Sequence, residues 1–237
     1  FKKVVIADNC AEFANHIFNN SSEMNGSALV LGAVFFTFQI YGDFSGYSDI
    51  AIGTSRLFGF NLKQNFATPY FSRDIAEFWR RWHISLSTWF RDYLYIPLGG
   101  SRGGTWMKVR NTFAIFLVSG FWHGANWTFI FWGVLNAIYF LPLLLTNNNR
   151  KNLGVVADGK LLPSFKDLIA MLATFGLTVF AWVFFRAENI YHAFSIFSKI
   201  FSERLFEIPI IKSGSNPLII ITLICIFLCF EWAGRKD

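Results

Sequence analysis

An uncharged stretch of 34 residues places the strongest limit on how this chain folds. Residues 112–145 contain no Asp, Glu, Lys or Arg. As one α-helix the stretch would be about 50 Å long, whereas the hydrocarbon core of a bilayer is about 30 Å thick. We therefore predict two membrane segments or one broken helix, with the break within residues 120–127. Irregular backbone at membrane depth is tolerated only where it is buried in protein or lines a cavity.

His123 lies in this predicted break and is the one side chain of the stretch that titrates near neutral pH. Ionisable side chains are rare at membrane depth and usually mark a functional site, which favours a functional role. The alternative is a hydrogen bond between two helices that helps them pack.

The composition also indicates a membrane protein. Of the 237 residues, 54% are hydrophobic and only 15% are charged, with 30 Phe and 9 Trp. A soluble domain of this length cannot bury so much apolar surface, so part of it must face lipid. Further apolar runs occupy residues 28–41, 168–185 and 218–232. We predict an all-α, polytopic membrane protein with spanning helices and additional interfacial amphipathic helices, forming a single domain over residues 1–237.

The net charge of +6 resides mostly between the apolar runs. Loops rich in Lys and Arg tend to stay in the cytoplasm, so residues 147–166 are expected to be cytoplasmic. Because the cations are scattered, nucleic-acid binding is not expected, and the bilayer headgroups or an anionic substrate explain them better. The sequence has neither a Gly-rich nucleotide loop nor metal-ligand spacing, so no metal site is expected.

Residues 72–95 have the pattern of an amphipathic helix that does not cross the bilayer. Such a helix suits the membrane interface or the roof of a membrane cavity. Asp74 is expected near its positive end, and the helix is expected to stop before Pro97. Glu77 and Arg81 are expected to pair on the water-facing side. At about 100° per residue, one arc collects Ile75, Phe78, Trp79, Trp82, Leu86, Trp89, Phe90 and Tyr93, and the opposite side collects Glu77, Arg80, Arg81, Ser87, Thr88, Arg91 and Asp92.

His83 lies at the edge of that apolar arc. One interpretation is that it extends its polar end towards water at the interface. The other is that it acts with His123, the only other histidine beside a membrane segment with polar surroundings. His16 and His192 lie in other polar or amphipathic stretches and are interpreted as structural.

Three motifs in order along the chain resemble the membrane-bound O-acyltransferase family. They are Tyr-Gly-Asp-Phe-Ser-Gly-Tyr-Ser-Asp at residues 41–49, Phe-Trp-Arg-Arg-Trp-His-Ile-Ser-Leu-Ser-Thr-Trp-Phe-Arg-Asp-Tyr at residues 78–93, and Phe-Trp-His-Gly at residues 121–124. The likeness covers residues 1–185 and is specific, because two separate histidine motifs match. The nearest branch is that of the bacterial alginate O-acetyltransferases, and the D-alanyl transferases of teichoic acid modification are cousins. The family's first half, with further spanning helices, is expected to be missing from this sequence.

The resemblance implies a tunnel through the membrane with His123 at its centre and His83 nearby. A neutral imidazole accepts the proton that a hydroxyl loses when it attacks a thioester, so His123 is the expected general base. The role of His83 stays open between orienting the acceptor, binding the donor and stabilising the oxyanion. Trp122 and Asn126, with Asp43 and Asp49, are expected to bind substrate; capping and loop solvation are equally good explanations for the two aspartates.

The resemblance further implies a multi-pass protein of the bacterial inner membrane. It would take an acetyl group from acetyl-CoA or another acyl thioester, with no bound cofactor, and deliver it to an exported polysaccharide, with a periplasmic acetyltransferase as a possible partner. Two other classes stay open: a membrane transporter or channel component, which also uses intramembrane histidine and broken helices, and a non-catalytic scaffold of a polysaccharide export complex.

Overall fold

The described part of the protein is built from helices and turns, as the sequence predicts. A computed structural model describes residues 1–209, 211 and 216–236, apart from the side chains of residues 203 and 204. Short π-helical turns occur at Lys2–Ala7 and Arg91–Tyr95, and 3-10 turns at Pro69–Phe71 and Glu203–Phe206. The α-helices are α1 (Asp8–Asn19), α2 (Gly26–Leu57), α3 (Ile75–Arg81), α4 (Ile84–Phe90), α5 (Gly104–His123), α6 (Trp127–Leu145), α7 (Phe165–Arg186), α8 (Ile190–Ile200) and α9 (Pro217–Ala233).

Within the described residues, α2, α6 and α7 are long and apolar enough to cross a membrane. α9 is equally apolar but shorter. The predicted break in the uncharged stretch is confirmed, because α5 ends at His123 and α6 begins at Trp127. The apolar run at residues 28–41 is only the first part of its helix. α2 continues through the polar motif at residues 41–49.

The chain divides into two compact units. The first consists of Phe1–Leu62 and Trp182–Glu231, and the second of Lys63–Ala181 and Trp232–Asp237, so that α7 and α9 contribute to both. The prediction that residues 1–237 form one functional domain stays a prediction.

In the first unit, α1 packs against the apolar first half of α2. The rings of Phe13 and Phe35 lie 5.2 Å apart, and both are fully buried. α8 rests on the end of α7 through Phe184 and Phe197, whose rings are 5.1 Å apart. His192 belongs to this packing, since its Nε2 lies 3.0 Å from Ser21 Oγ.

In the second unit, aromatic side chains join α3 to the α5–α6 pair. The indole of Trp79 makes edge contacts with Phe116 of α5, at 5.4 Å, and with Trp132 of α6, at 5.7 Å. The loop after α6 folds back over α3, because the guanidinium of Arg80 donates to the carbonyls of Asn149 and Asn152 at 2.8 and 2.9 Å.

The prediction of one amphipathic helix over residues 72–95 is wrong. The segment forms α3, then breaks at Trp82 and His83, and resumes as α4 and a π-helical turn. The predicted start and end of the helical segment are confirmed. The Asp74 side chain caps α3 by accepting from Glu77 N at 2.7 Å, and the helical part ends at Tyr95, before Pro97.

The expected water-facing position of Glu77 is also wrong. Its side chain is only 1% exposed and lies between two arginines. The predicted bond to Arg81 forms, at 2.9 Å, and Arg73 adds a second bond at 3.0 Å. A buried carboxylate is tolerable here because both of its oxygens receive charged donors.

Candidate active site

The tight pairing of α5 and α6 fixes the position of His123. A methyl group on Gly120 would meet the carbonyl oxygen of Phe129 at 2.3 Å, and one on Gly133 would meet that of Phe116 at 2.3 Å. Two glycines facing opposite helices therefore let the backbones approach closely, as small residues do in membrane helix pairs. His123 ends α5 at the tip of this pair, and the turn opens at Gly124 with φ of 153°, which side chains of L-residues rarely allow.

We expect Gly120→Ala to destabilise this helix pair, because a rigid backbone carbonyl blocks the new methyl group. The expected loss is about 1–3 kcal/mol, as for overpacked cores, and thermal unfolding of the purified full-length protein measures it. Gly176→Ala in α7 is the matched control, since nothing lies within 4 Å of a Cβ at that position. Equal losses at both positions would contradict a close α5–α6 approach.

The imidazole of His123 is half-buried in an aromatic surround. Its ring is perpendicular to that of Trp132, with the centroids 5.3 Å apart. Trp122 makes a second edge contact at 4.9 Å, and Phe129 lies at 6.2 Å. The partial burial keeps His123 within reach of a ligand while aromatic walls restrict the orientation of its ring.

His83 occupies the turn between α3 and α4 in a left-handed backbone conformation, with φ of 45° and ψ of 58°. Residues other than glycine seldom adopt this conformation, although histidine does so more often than most. Such local strain persists only where neighbouring structure imposes it, and it is concentrated at functional sites. The ring of His83 stacks on Phe66 at 6.5 Å.

A short segment beside the turn supplies the bonds that hold His83 in place. The carbonyl of Asn65 accepts from Ile84 N at 3.0 Å, and its side-chain oxygen accepts from Ser85 N at 3.1 Å. On the other side of His83, the carbonyl of Arg81 accepts from Ala67 N at 3.0 Å. The backbone on both sides of His83 is thereby fixed.

His83 and His123 come together in the second unit although 40 positions separate them. They are near enough that a positive charge on His83 would repel one on His123. Burial lowers the pKa of His83 below its ordinary value of 6.5. His83 is therefore uncharged at neutral pH, so it does not repel a proton on His123. Two imidazoles within electrostatic range, one of them neutral, are suited to receiving and placing a proton.

The other predicted site residues have different surroundings. Asn126 caps α6, since its side-chain oxygen accepts from Thr128 N at 3.0 Å, and Trp122 is more than half exposed beside His123. Trp122 also contacts the ring of His123, whereas Asn126 is its neighbour in sequence. Their binding of substrate stays a prediction.

Asp43 and Asp49 lie on α2 in the first unit, where both form ion pairs. Asp43 pairs with Lys3, and Asp49 with Lys2 at 3.1 Å. Lys2 also pairs with Glu231 at 3.0 Å. These contacts explain how α2 carries a polar motif along its length, and a role of the two aspartates in binding substrate stays a prediction.

Sequence analysis did not find two residues that support this site, Asn65 and Glu77. Asn65 lies in a stretch without periodicity, and its bonds reach across 20 positions of sequence. For Glu77, the only signal was its spacing from Arg81. That spacing predicted the ion pair but not the burial of the carboxylate. Within residues 1–209, 211 and 216–236, no group of three or more His, Cys, Asp or Glu side chains is placed to hold a metal ion.

Comparison with known proteins gives a consistent result. The family model of membrane-bound O-acyltransferases matches residues 1–185. The chain is 43% identical over its whole length to the probable alginate O-acetylase AlgI of Pseudomonas aeruginosa, of which it covers 43%. It is 43% identical over 83% of its length to the peptidoglycan O-acetyltransferase of Helicobacter pylori, covering 36% of that protein. It is 34% identical over 65% of its length to the teichoic acid D-alanyltransferase of Streptococcus thermophilus, covering 40%. The chain thus spans less than half the length of each of these relatives.

Proposed function

Because the chain belongs to the membrane-bound O-acyltransferase family, we propose that it carries the histidine centre of an enzyme that acetylates an exported polysaccharide. The acetyl group comes from a thioester donor, acetyl-CoA being the simplest, and passes to a sugar hydroxyl. The observation that carries the proposal is that His123 and His83 lie in one unit, within electrostatic range of each other.

In the proposed step, a nitrogen of His123 accepts the hydroxyl proton as the hydroxyl oxygen attacks the thioester carbonyl. An ester bond forms, the carbon–sulfur bond breaks, and the departing sulfur takes up the proton from the imidazolium. This role needs a neutral imidazole, because only the unprotonated ring nitrogen has a lone pair that can accept the proton. The lowered pKa of His83 spares His123 a competing positive charge beside it.

The names of the relatives support a polysaccharide as acceptor. Alginate, peptidoglycan and teichoic acid are the polymers named among them, and each lies outside the cytoplasmic membrane. We therefore propose that this protein lies in the inner membrane of a bacterium and that the acyl group crosses the bilayer through it. A periplasmic acetyltransferase that receives the acetyl group is the expected partner, and Asp43, Asp49, Trp122 and Asn126 are the expected substrate-binding residues.

Glycan analysis of a strain that lacks the gene tests the proposal. We expect one surface polysaccharide to lose its acetyl esters, measured by NMR of the purified polymers, and the full-length gene to restore them. Restoration excludes effects on neighbouring genes. If every polymer keeps its esters but one is no longer exported, the protein is a transporter or scaffold and the proposal fails.

A further inference from the structure

A cavity beside α3 in the second unit has the chemistry of a phosphate site. Its volume is about 370 Å³. Two arginines, Arg80 and Arg150, contribute to its wall, and no acidic side chain does. The remaining lining is an amide and four apolar side chains, namely Asn149 together with Ala76, Trp79, Phe140 and Leu153.

The two guanidinium groups are near each other but differ in burial and in their bonding partners. Burial lowers the pKa of Arg80, the carboxylates of Asp74 and Glu77 raise it, and the charges of Arg81 and Arg150 lower it by smaller amounts. Arg80 uses part of its donor set on two loop carbonyls. Arg150 is exposed, and within the described residues it forms no ion pair.

The acidic groups near Arg80 are already satisfied. Asp74 accepts from Glu77 N and from Asn152 Nδ2, both at 2.7 Å, and Glu77 is held by its own pair of arginines. Like charges left side by side favour an anion between them, and a planar guanidinium matches the oxygens of a phosphate.

The cavity adjoins the end of a candidate membrane span. Phe140 belongs to the candidate span α6, shortly before that helix ends at Leu145. Asn149, Arg150 and Leu153 belong to the loop that follows. Apolar walls therefore continue from the span to a cationic rim, the arrangement in which basic pockets hold lipid headgroups.

We propose that this cavity binds the phosphate of an anionic phospholipid headgroup between Arg80 and Arg150, with the upper part of an acyl chain against Phe140 and Leu153. The same phosphate chemistry is present in a phosphorylated thioester carrier such as coenzyme A. The apolar lining favours the lipid, and the site does not depend on acyl transfer.

The test titrates the purified full-length protein in neutral detergent with short-chain phosphatidylglycerol, with phosphatidylcholine of the same chains, and with coenzyme A. Native mass spectrometry measures the bound fraction. We expect phosphatidylglycerol to bind most tightly and Arg150→Gln to weaken it about fivefold, the effect of one surface cation on an anionic lipid. Arg150→Glu is expected to weaken it more, because it places a negative charge at the rim.

Lys151→Gln is the matched control, since Lys151 is exposed one position away and does not line the cavity. It should leave binding unchanged. The proposal is overturned if both glutamine variants bind phosphatidylglycerol equally, or if Arg150→Gln affects coenzyme A but not the lipid. Thermal unfolding of each variant verifies that the fold is retained.

Discussion

Replacement of His123 by alanine in the full-length protein is expected to abolish acetylation of the polysaccharide while the protein stays in the membrane at its normal level. Loss of a general base costs about 10²–10⁴-fold in rate, so the acetyl ester content should fall to a small fraction of normal. The measurement is the acetyl ester content of the polymer, set against the protein level in isolated membranes. His123 is half-buried at a helix end, so its truncation leaves the α5–α6 pairing intact.

His16→Ala supplies the matched control. His16 is half-buried on α1 of the first unit, so this variant removes an imidazole outside the unit that holds the histidine pair. It should acetylate normally. If His123→Ala accumulates normally and acetylation persists, the assignment of the general base is wrong and a scaffold role gains support.

The second large effect is expected at Glu77. Glu77→Ala removes the carboxylate between Arg73 and Arg81, whose side chains are 15% and 13% exposed. Two mostly buried cations then lose the carboxylate that pairs with both and keep only carbonyl acceptors, and breaking a buried pair in this way costs about 3–5 kcal/mol. We expect a marked fall in the thermal unfolding temperature of the purified protein, with loss of acetyl transfer because Arg81 also anchors the segment beside His83.

Asp92→Ala is the control for charge loss alone. Asp92 pairs with Arg91 on the exposed surface, where ion pairs contribute little. Its unfolding temperature should match that of the unchanged protein. Similar unfolding temperatures for Glu77→Ala and Asp92→Ala would show that Glu77 does not hold α3 and the following turn together.

The break at His123 was predictable because it follows from lengths. A stretch of 34 uncharged residues exceeds the bilayer as one helix, and the polar and small residues near its middle mark the point of interruption. Asn126 adds a cap signal at the start of α6. Each of these arguments uses only residues that are close together in the sequence.

The break at His83 was not predictable in the same way. The periodicity of residues 72–95 continues through it, so a helical wheel shows one continuous amphipathic surface. What interrupts the helix is a set of hydrogen bonds from Asn65 and Ala67, which lie more than a dozen positions upstream. The burial of Glu77 likewise depends on Arg73 and on the loop folded over α3.

The sequence by itself determined that this chain is an all-helical membrane protein of an O-acyltransferase family, and it predicted that two histidine motifs form the active site. Hydrophobic run length and motif order are properties of the linear chain, so both can be read directly from the sequence. Only the tertiary structure decided that His83 and His123 share one unit, that His83 adopts a left-handed backbone, and that Glu77 is buried. These features depend on contacts between segments that are distant in the sequence. A pattern of neighbouring residues does not show how strong such contacts are.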